Sequence, residues 1–205
     1  MNRMTTDPTF DLKDRPASER ILLTAHDLFY REGIRATGID RLIAESGVSK
    51  MTFYRHFPSK NDLILAFLAY RHERWMAWFL DALRRHGATR GMGIGALVPA
   101  MSEWFGQVGY RGCAFLNSVG ELGGSLPEVV GIARSHKREM EQAIAKLLPP
   151  SRQRARDARA IALAVDGAIV HSQFEETPDA ALKGLDRLIK ALQPEAAVRP
   201  DRIAR

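Results

Sequence analysis

The chain has 205 residues, of which 45% are hydrophobic and 26% are charged, and its formal net charge is +6 at pH 7. These values are typical of a globular protein of one or two domains with a substantial core. The single cysteine, Cys113, excludes an internal disulfide framework, and no run approaches the ~18 uninterrupted apolar residues of a membrane span. Residues 1–13 contain no apolar segment, so we expect no signal peptide and a cytoplasmic protein that has no membrane partner.

The positive charge permits a polyanionic partner without locating one. Residues 1–60 hold ten Lys and Arg against eight Asp and Glu, so the excess does not lie at the front of the chain. Residues 1–15 are polar and contain no helical period, which predicts a flexible arm. Its basic residues Arg3, Lys13 and Arg15 either reach into a DNA minor groove or form part of a solvated tail.

The first helix is predicted from Pro16 or Ser18 to Glu32, and Gly33 ends it. Residues 37–60 then predict two short helices joined by a tight turn at Gly47. Thr37 and Asp40 have the spacing of a capping box for the second helix.

Ser49 is a natural N-cap for the third helix, which Pro58 ends. Phe53 and Phe57 fall on one face of this helix. The opposite face is polar, aromatic and basic, and it consists of Met51, Thr52, Tyr54 and Arg55. Such a face suits a helix that lies in a DNA major groove.

Six further helices follow, separated by glycine and proline. The long helix 4 begins at a capping box formed by Ser59 and Asp62, and helix 7 begins at one formed by Ser125 and Glu128. The predicted bounds are Ser59–His86, Ala96–Val108, Cys113–Leu122, Ser125–Leu148, Ser151–Glu175 and Pro178–Leu192. We therefore predict an all-α fold of about nine helices, with a disordered tail over residues 194–205.

Residues 18–65 resemble the DNA-binding domain of the TetR family of bacterial transcriptional regulators. The matching positions are Gly33, Thr37, Ile43, Ala44, Ser46, Gly47, Val48, Ser49, Thr52, Phe53, Tyr54, His56, Phe57, Ser59, Lys60 and Leu63. The pattern departs from the family at Gly38, where a hydroxyl residue is common, and at Met51, where a small residue is common. Beyond residue 65 the chain resembles the family only in layout.

The resemblance implies a helix-turn-helix DNA-binding domain over residues 16–60 and a larger ligand-binding and dimerisation domain over residues 61–193. It implies that Lys50, Thr52 and Arg55 face base edges, with Met51 nearby. It further implies phosphate contacts from Thr37, Tyr54, His56 and Lys60. Taken by themselves, Tyr54 fits a half-buried core residue and Arg55 a solvated one.

The resemblance also implies a small-molecule cavity walled by helices 4 to 8. The candidate ligand-binding residues are Trp75, Trp78, Phe79, Trp104, Phe105, Tyr110, Phe115, Phe174, Asn117, Glu121, His136 and His171. Ligand pockets are mostly apolar with a few fixed polar groups, which fits this set. The alternative for each aromatic residue is an ordinary place in the core.

A homodimer is implied through helices 8 and 9. The candidate interface residues are Ile161, Val165, Ala168, Leu182, Leu185, Leu188 and Ile189. DNA binding favours a dimer as well, because two recognition helices must meet successive major grooves. The alternative is that both helices pack only on their own domain.

The sequence thus predicts a repressor that binds a palindromic double-stranded DNA operator as a homodimer and is released by a small-molecule effector. One alternative is a redox-responsive regulator that senses through Cys113; another is a helical protein-interaction module without DNA binding. The chain contains no Gly-x-Ser-x-Gly, His-Glu-x-x-His or phosphate-loop motif. We therefore expect no enzyme activity, no cofactor and no metal site.

Overall fold

The computed structural model describes residues 12–192; residues 1–11 of the predicted arm and the predicted tail lie outside this range. Within it the chain forms nine α-helices and no strand, which confirms the all-α fold. The helices are α1 (Ala17–Glu32), α2 (Ile39–Ser46), α3 (Lys50–His56), α4 (Lys60–Arg85), α5 (Leu97–Phe105), α6 (Ala114–Leu122), α7 (Glu128–Leu147), α8 (Arg154–His171) and α9 (Asp179–Leu192).

The first three helices close around a shared apolar core. Ile21, Leu28 and Phe29 enter it from α1, Leu42 from α2 and Phe53 from α3, and all five are buried. With 8 and 7 residues, α2 and α3 are too short to be stable in isolation. Tertiary packing therefore holds them, and Phe53 is the buried anchor of α3.

The turn between α2 and α3 has the predicted form. Gly47 adopts the left-handed conformation, with φ 63° and ψ 35°, which costs glycine little. The N–H groups of Gly47 and Val48 donate to the last carbonyls of α2, at 3.2 and 3.4 Å. The Ser49 hydroxyl then accepts the N–H of Thr52 at 3.1 Å, so the predicted cap of α3 is confirmed.

The predicted capping box at the start of α2 is wrong. Gly38 is the N-cap residue and makes no side-chain cap. Thr37 is fully buried, and its hydroxyl donates to the Gly33 carbonyl at 2.8 Å. A threonine hydroxyl that reaches back four residues to a carbonyl can no longer accept an N–H ahead of it in the cap geometry.

The other two predicted capping boxes have opposite outcomes. At the start of α4 the Ser59 hydroxyl accepts the N–H of Asp62 at 3.2 Å, as predicted. The Ser125 hydroxyl instead donates to the Leu122 carbonyl at 3.3 Å, and α7 begins only at Glu128. Ser125 therefore belongs to the turn after α6 rather than to a cap of α7.

The 26 residues of α4 join the two ends of the molecule. Its first turns pack on α1 and its later turns on α5 and α7. The buried apolar residues described form one cluster that extends from Ile21 to Ile189. Because that core is continuous, the predicted domain boundary at residue 60 stays a prediction.

α5 and α8 are shorter than the sequence predicts. α5 stops at Phe105 and not at Val108, which is 92% exposed. α8 stops at His171 and not at Glu175, leaving Phe174 67% exposed. In both places the sequence keeps the apolar spacing of a helix for a few more residues, but no other helix covers those residues.

Candidate nucleic-acid interface and ligand site

α3 has one buried and one exposed face. Phe53 has no exposed surface and lies in the apolar core, whereas Lys50, Met51, Tyr54 and Arg55 are exposed. Met51 is 78% exposed, which is unusual for a large apolar side chain. This face offers two cations, a phenol and an apolar side chain to whatever lies against it.

Thr52 completes the face as a half-buried residue. Its hydroxyl lies 2.9 Å from that of Ser49, and either group can donate. A hydroxyl has one donor and two acceptor sites, so Thr52 keeps hydrogen-bonding capacity for a base edge.

The four predicted phosphate contacts are not equally placed. Tyr54 and His56 are exposed, whereas Lys60 is half-buried and its Nζ donates to the Ile34 carbonyl at 2.6 Å. Burial lowers the pKa of Lys60, and its ammonium retains two further N–H donors. The predicted contact from Thr37 is wrong, because that side chain is enclosed in the fold.

Two acidic side chains beside the helix-turn-helix, Glu32 and Glu45, are engaged in exposed ion pairs. Arg41 pairs with both Glu32 and Glu45, and its hydrogen bonds lower the pKa of Glu32 to about 2. Exposed pairs of this kind contribute little to stability. Within residues 12–192, by contrast, Lys50 and Arg55 belong to no ion pair, so the positive charge of α3 is available to an anion.

Most of the aromatic residues predicted to bind a ligand are core residues. Trp75, Trp78, Phe79, Phe105 and Phe115 are all at most 7% exposed. Trp75 stacks on Phe79 with ring centroids 4.7 Å apart. These rings fill the space between α4, α5 and α7 instead of lining the two clefts described below.

The predicted polar ligand groups are also separated. His136 is buried and stacks on Phe115 with ring centroids 3.7 Å apart. His171 lies on the surface, where its Nδ1 is 2.8 Å from a Glu175 oxygen, beside the exposed Phe174. Of the predicted ligand set, only Trp104, Tyr110, Asn117 and Glu121 line one of the clefts found within residues 12–192.

The first cleft lies between α1 and α6 and has a volume of about 220 Å³. Its lining includes Phe29, Gly33, Phe67, Asn117, Ser118 and Glu121, and we call it the α1–α6 cleft. A Glu121 oxygen accepts the backbone N–H of Arg35 at 2.9 Å. Glu121 therefore joins α6 directly to the segment between α1 and α2.

The second cleft is smaller, about 70 Å³, and we call it the α1–α5 cleft. Its lining includes His26, Tyr30, Arg71, Trp104 and Tyr110. The Tyr30 hydroxyl donates to the Gly112 carbonyl at 2.9 Å and accepts the backbone N–H of Arg111 at 3.0 Å. Tyr30 thus forms a second link between α1 and the part of the chain that leads into α6.

Arg71, like His26 and Tyr30, lines this cleft and was not predicted from the sequence. It is 3% exposed and lies on the inner face of α4, with its guanidinium carbon 3.8 Å from the centroid of the Tyr30 ring. Its Nη1 is 3.2 Å from Nε2 of His26. The spacing in the sequence indicates that Arg71 is buried. Phe67, Arg71 and Trp75 are each four residues apart and therefore lie on one face of α4.

Most of the residues predicted to form the dimer interface point into the core of their own protomer. Ile161, Val165, Ala168, Leu185 and Ile189 are at most 5% exposed, because they pack into the core of their own protomer. Leu182 and Leu188 are half-buried against the same core. The opposite side of α8 exposes a different stripe, formed by Leu163, Gly167, Val170 and, just beyond the helix end, Phe174.

Cys113 is 2% exposed and directly precedes α6. A redox sensor needs an accessible thiol, so this burial removes the support for the redox alternative. No helix of residues 12–192 is long and apolar enough to cross a membrane. In the same range no group of three His, Cys, Asp or Glu side chains is arranged to hold a metal ion.

A short helix that is anchored by one phenylalanine, preceded by a glycine turn and exposed along a basic face defines a helix-turn-helix DNA-binding protein. The sequence profile described as bacterial regulatory proteins, tetR family, matches residues 21–67. The structure is similar to that of SCO4454, a TetR-family transcriptional regulator from Streptomyces coelicolor. The TM-score is 0.77 at 30% identity, over 87% of this chain and 90% of that one. The chain belongs to the TetR family of transcriptional regulators.

Two relatives match over the DNA-binding region. The regulator YerO of Bacillus subtilis is 44% identical over 52 residues, which are 25% of this chain and 18% of YerO. The transcriptional activator FasR of Mycolicibacterium smegmatis is 36% identical over 72 residues, 34% of this chain and 33% of FasR. The chain therefore spans a third or less of the length of these relatives. Family membership confirms that it is a DNA-binding regulator and not an enzyme.

Proposed function

We propose that this regulator is a repressor that binds a palindromic operator as a homodimer and leaves it when a small molecule binds behind the DNA-binding helices. The observation that carries the proposal is the pair of links from α1 to the α6 region, through Tyr30 and Glu121, each beside a cleft. A ligand in either cleft contacts a group that fixes the position of the helix-turn-helix.

Base recognition is assigned to the exposed face of α3. Arg55 and Lys50 can donate to guanine O6 and N7, Thr52 to a base edge or thymine methyl, and Met51 adds apolar contact. Phosphate contacts are assigned to Tyr54, His56 and Lys60. These assignments are supported by the exposure of α3 and by the ammonium donors that Lys60 retains.

The homodimer is assigned to the outer surfaces of α8 and α9. The stripe of Leu163, Gly167, Val170 and Phe174 is spaced as one helix face, and large apolar groups in such a row favour an interface. On α9 the exposed residues Ala180, Gly184 and Ala191 are small, which permits close approach of a partner helix.

A charge in the apolar stripe tests this interface. Leu163→Glu should yield a monomer in light scattering, whereas Leu185→Ala, in the core beside it, should lower stability and leave the dimer intact. A persisting Leu163→Glu dimer would refute the assignment.

Release from the operator requires a population shift between two positions of the helix-turn-helix. The ligand must bind the DNA-incompetent position more tightly, and a hundredfold loss of operator affinity needs about 2.7 kcal/mol of such preference. We assign the transmission to α4, because it packs on α1 at its start and on α5 and α7 further along.

An operator selected from random double-stranded DNA provides the test of DNA recognition. Arg55→Ala should relax preference at one base position of each half-site, whereas Lys60→Ala should weaken all sequences alike and reduce the salt dependence by about one unit. Arg84→Ala, an exposed residue at the far end of α4, is the matched control. If Arg55→Ala instead weakens binding to all DNA sequences equally, Arg55 contacts the DNA backbone and does not read a base.

A reporter placed behind the selected operator tests the direction of control. Deleting the regulator should raise expression. A fall in expression would refute repression and would indicate activation, the role that the name of FasR gives to that protein. Failure to select any DNA would instead favour a helical protein-interaction module.

A further inference from the structure

Arg71 is a buried cation that no carboxylate neutralises. Arg71 is 3% exposed, and it contacts the Tyr30 side chain and His26. Asp27 is the one carboxylate among the residues lining the α1–α5 cleft in the described part of the chain, and it is paired with Arg31 at 2.8 Å. No ion pair within residues 12–192 includes Arg71.

The neighbours of Arg71 do not supply a negative charge. A guanidinium group only donates hydrogen bonds, so Nε2 of His26 accepts and the imidazole is neutral. Burial, followed by the charges of Arg71 and Arg74, lowers the pKa of His26 to about 3, which keeps it neutral. The phenol of Tyr30 is neutral too, since burial raises its pKa. A buried charge is costly unless it is paired, so this site favours an anion.

The walls of the cleft restrict which anion fits. The rings of Tyr30, Trp104 and Tyr110 line it, and the Tyr110 hydroxyl is already held by Ser172 at 2.9 Å. The cleft is open on one side, so a ligand of one ring and one carboxylate can enter it and extend beyond its volume of about 70 Å³. One guanidinium presents a planar fork of N–H donors that matches a carboxylate.

We infer that the α1–α5 cleft binds a small aromatic monocarboxylate, whose ring lies among Tyr30, Trp104 and Tyr110 and whose anionic group pairs with Arg71. Such a ligand satisfies the buried cation and adds apolar contact with the aromatic walls. The site borders the aromatic core between α4, α5 and α7, because Trp104 lines the cleft and also contacts Trp75 at 5.3 Å between ring centroids.

Occupancy of this cleft also affects the link between α1 and the α6 region. Tyr30 lines the cleft with its ring, while its hydroxyl holds the Gly112 carbonyl and the Arg111 N–H. A ligand against the ring therefore favours the positions of α1 that accommodate it. This regulatory consequence rests on the proposed function, whereas binding itself does not.

Calorimetric titration of the full-length wild-type chain with benzoate tests the binding site. Benzamide is the neutral control of nearly the same shape, and inorganic phosphate is the anionic control without a ring. Benzoate should bind at least tenfold more tightly than either. Equal binding of benzoate and benzamide, or no saturable binding of benzoate, overturns the inference.

Removing the cation tests the role of Arg71. Arg71→Met should weaken the binding of benzoate at least tenfold and leave the binding of benzamide unchanged, because it removes the cation that pairs with the carboxylate. Arg84→Met, at the exposed end of α4, should bind benzoate as the wild type does. Unchanged binding of benzoate by Arg71→Met overturns the inference.

Operator release is measured separately. With benzoate bound, operator affinity should fall at least tenfold in the wild type and remain unchanged in Arg71→Met. Benzoate binding without operator release would refute only the regulatory consequence. Absence of operator binding by the ligand-free chain would refute the proposed function and leave the calorimetric result standing.

Discussion

Tyr30 joins the helix-turn-helix to the rest of the molecule through one oxygen atom, so Tyr30→Phe isolates that link. The substitution removes the bond to the Gly112 carbonyl at 2.9 Å and the one from the Arg111 N–H at 3.0 Å. It retains the ring that covers Arg71. Gly112 is buried, so its carbonyl is left without this partner. Two lost bonds at about 1 kcal/mol each, with a penalty for an unpaired buried carbonyl, give a destabilisation of about 2–3 kcal/mol.

Urea unfolding at a fixed protein concentration, followed by tryptophan fluorescence, measures this change. Tyr70→Phe is the matched control, because the Tyr70 hydroxyl accepts only a partly buried bond from Arg74, at 3.0 Å. The control should lose less than about 1 kcal/mol. Equal losses in the two variants would refute the reasoning, as would a Tyr30→Phe protein as stable as the wild type.

Three further predictions concern stability. Thr37→Val should cost about 1–2 kcal/mol in urea unfolding, because the Gly33 carbonyl loses its 2.8 Å partner, and a neutral result would show that water replaces it. Gly47→Ala should cost about 1–2 kcal/mol in the same assay because φ is 63°; an unchanged midpoint would refute this. Burial lowers the pKa of His26 to about 3 and of His136 to about 2, so both stay neutral in the folded protein. The stability gained by burying these two neutral imidazoles is complete above the unfolded-state pKa of about 6.5. It is lost progressively as pH falls below that value. Stability should therefore drop by about 2–3 kcal/mol from pH 7.5 to 5.5, and a double His→Gln variant with the same slope would exclude these residues as the cause.

The sequence predicted the helices well, because capping and turn residues close to each helix end determine where the helix begins and ends. Gly47, Ser49 and Ser59 act within a few residues of themselves, and each adopts the predicted role. Thr37 has the same local pattern as Ser59 and behaves differently. Its hydroxyl finds the Gly33 carbonyl, an acceptor that exists only once α1 has ended in place.

The ligand and dimer residues were harder to predict, because an apolar stripe specifies burial without specifying the partner. Val165 and Ile189 are buried by their own protomer, although their spacing equally suits a second chain. Trp75 and Phe79 likewise stack on each other as core residues. Arg71 illustrates the reverse case, since a charged residue in register with the apolar face of a helix indicates a special environment from its spacing alone.

The small size of α3 has a consequence for the evolution of operator preference. Its buried anchor is Phe53 alone, and the side chains of Lys50, Met51, Tyr54 and Arg55 are exposed. Exposed positions change with little effect on stability. Natural selection can thus exchange the base-reading side chains while the fold remains intact, so new DNA targets are accessible by single substitutions without compensating changes in the core.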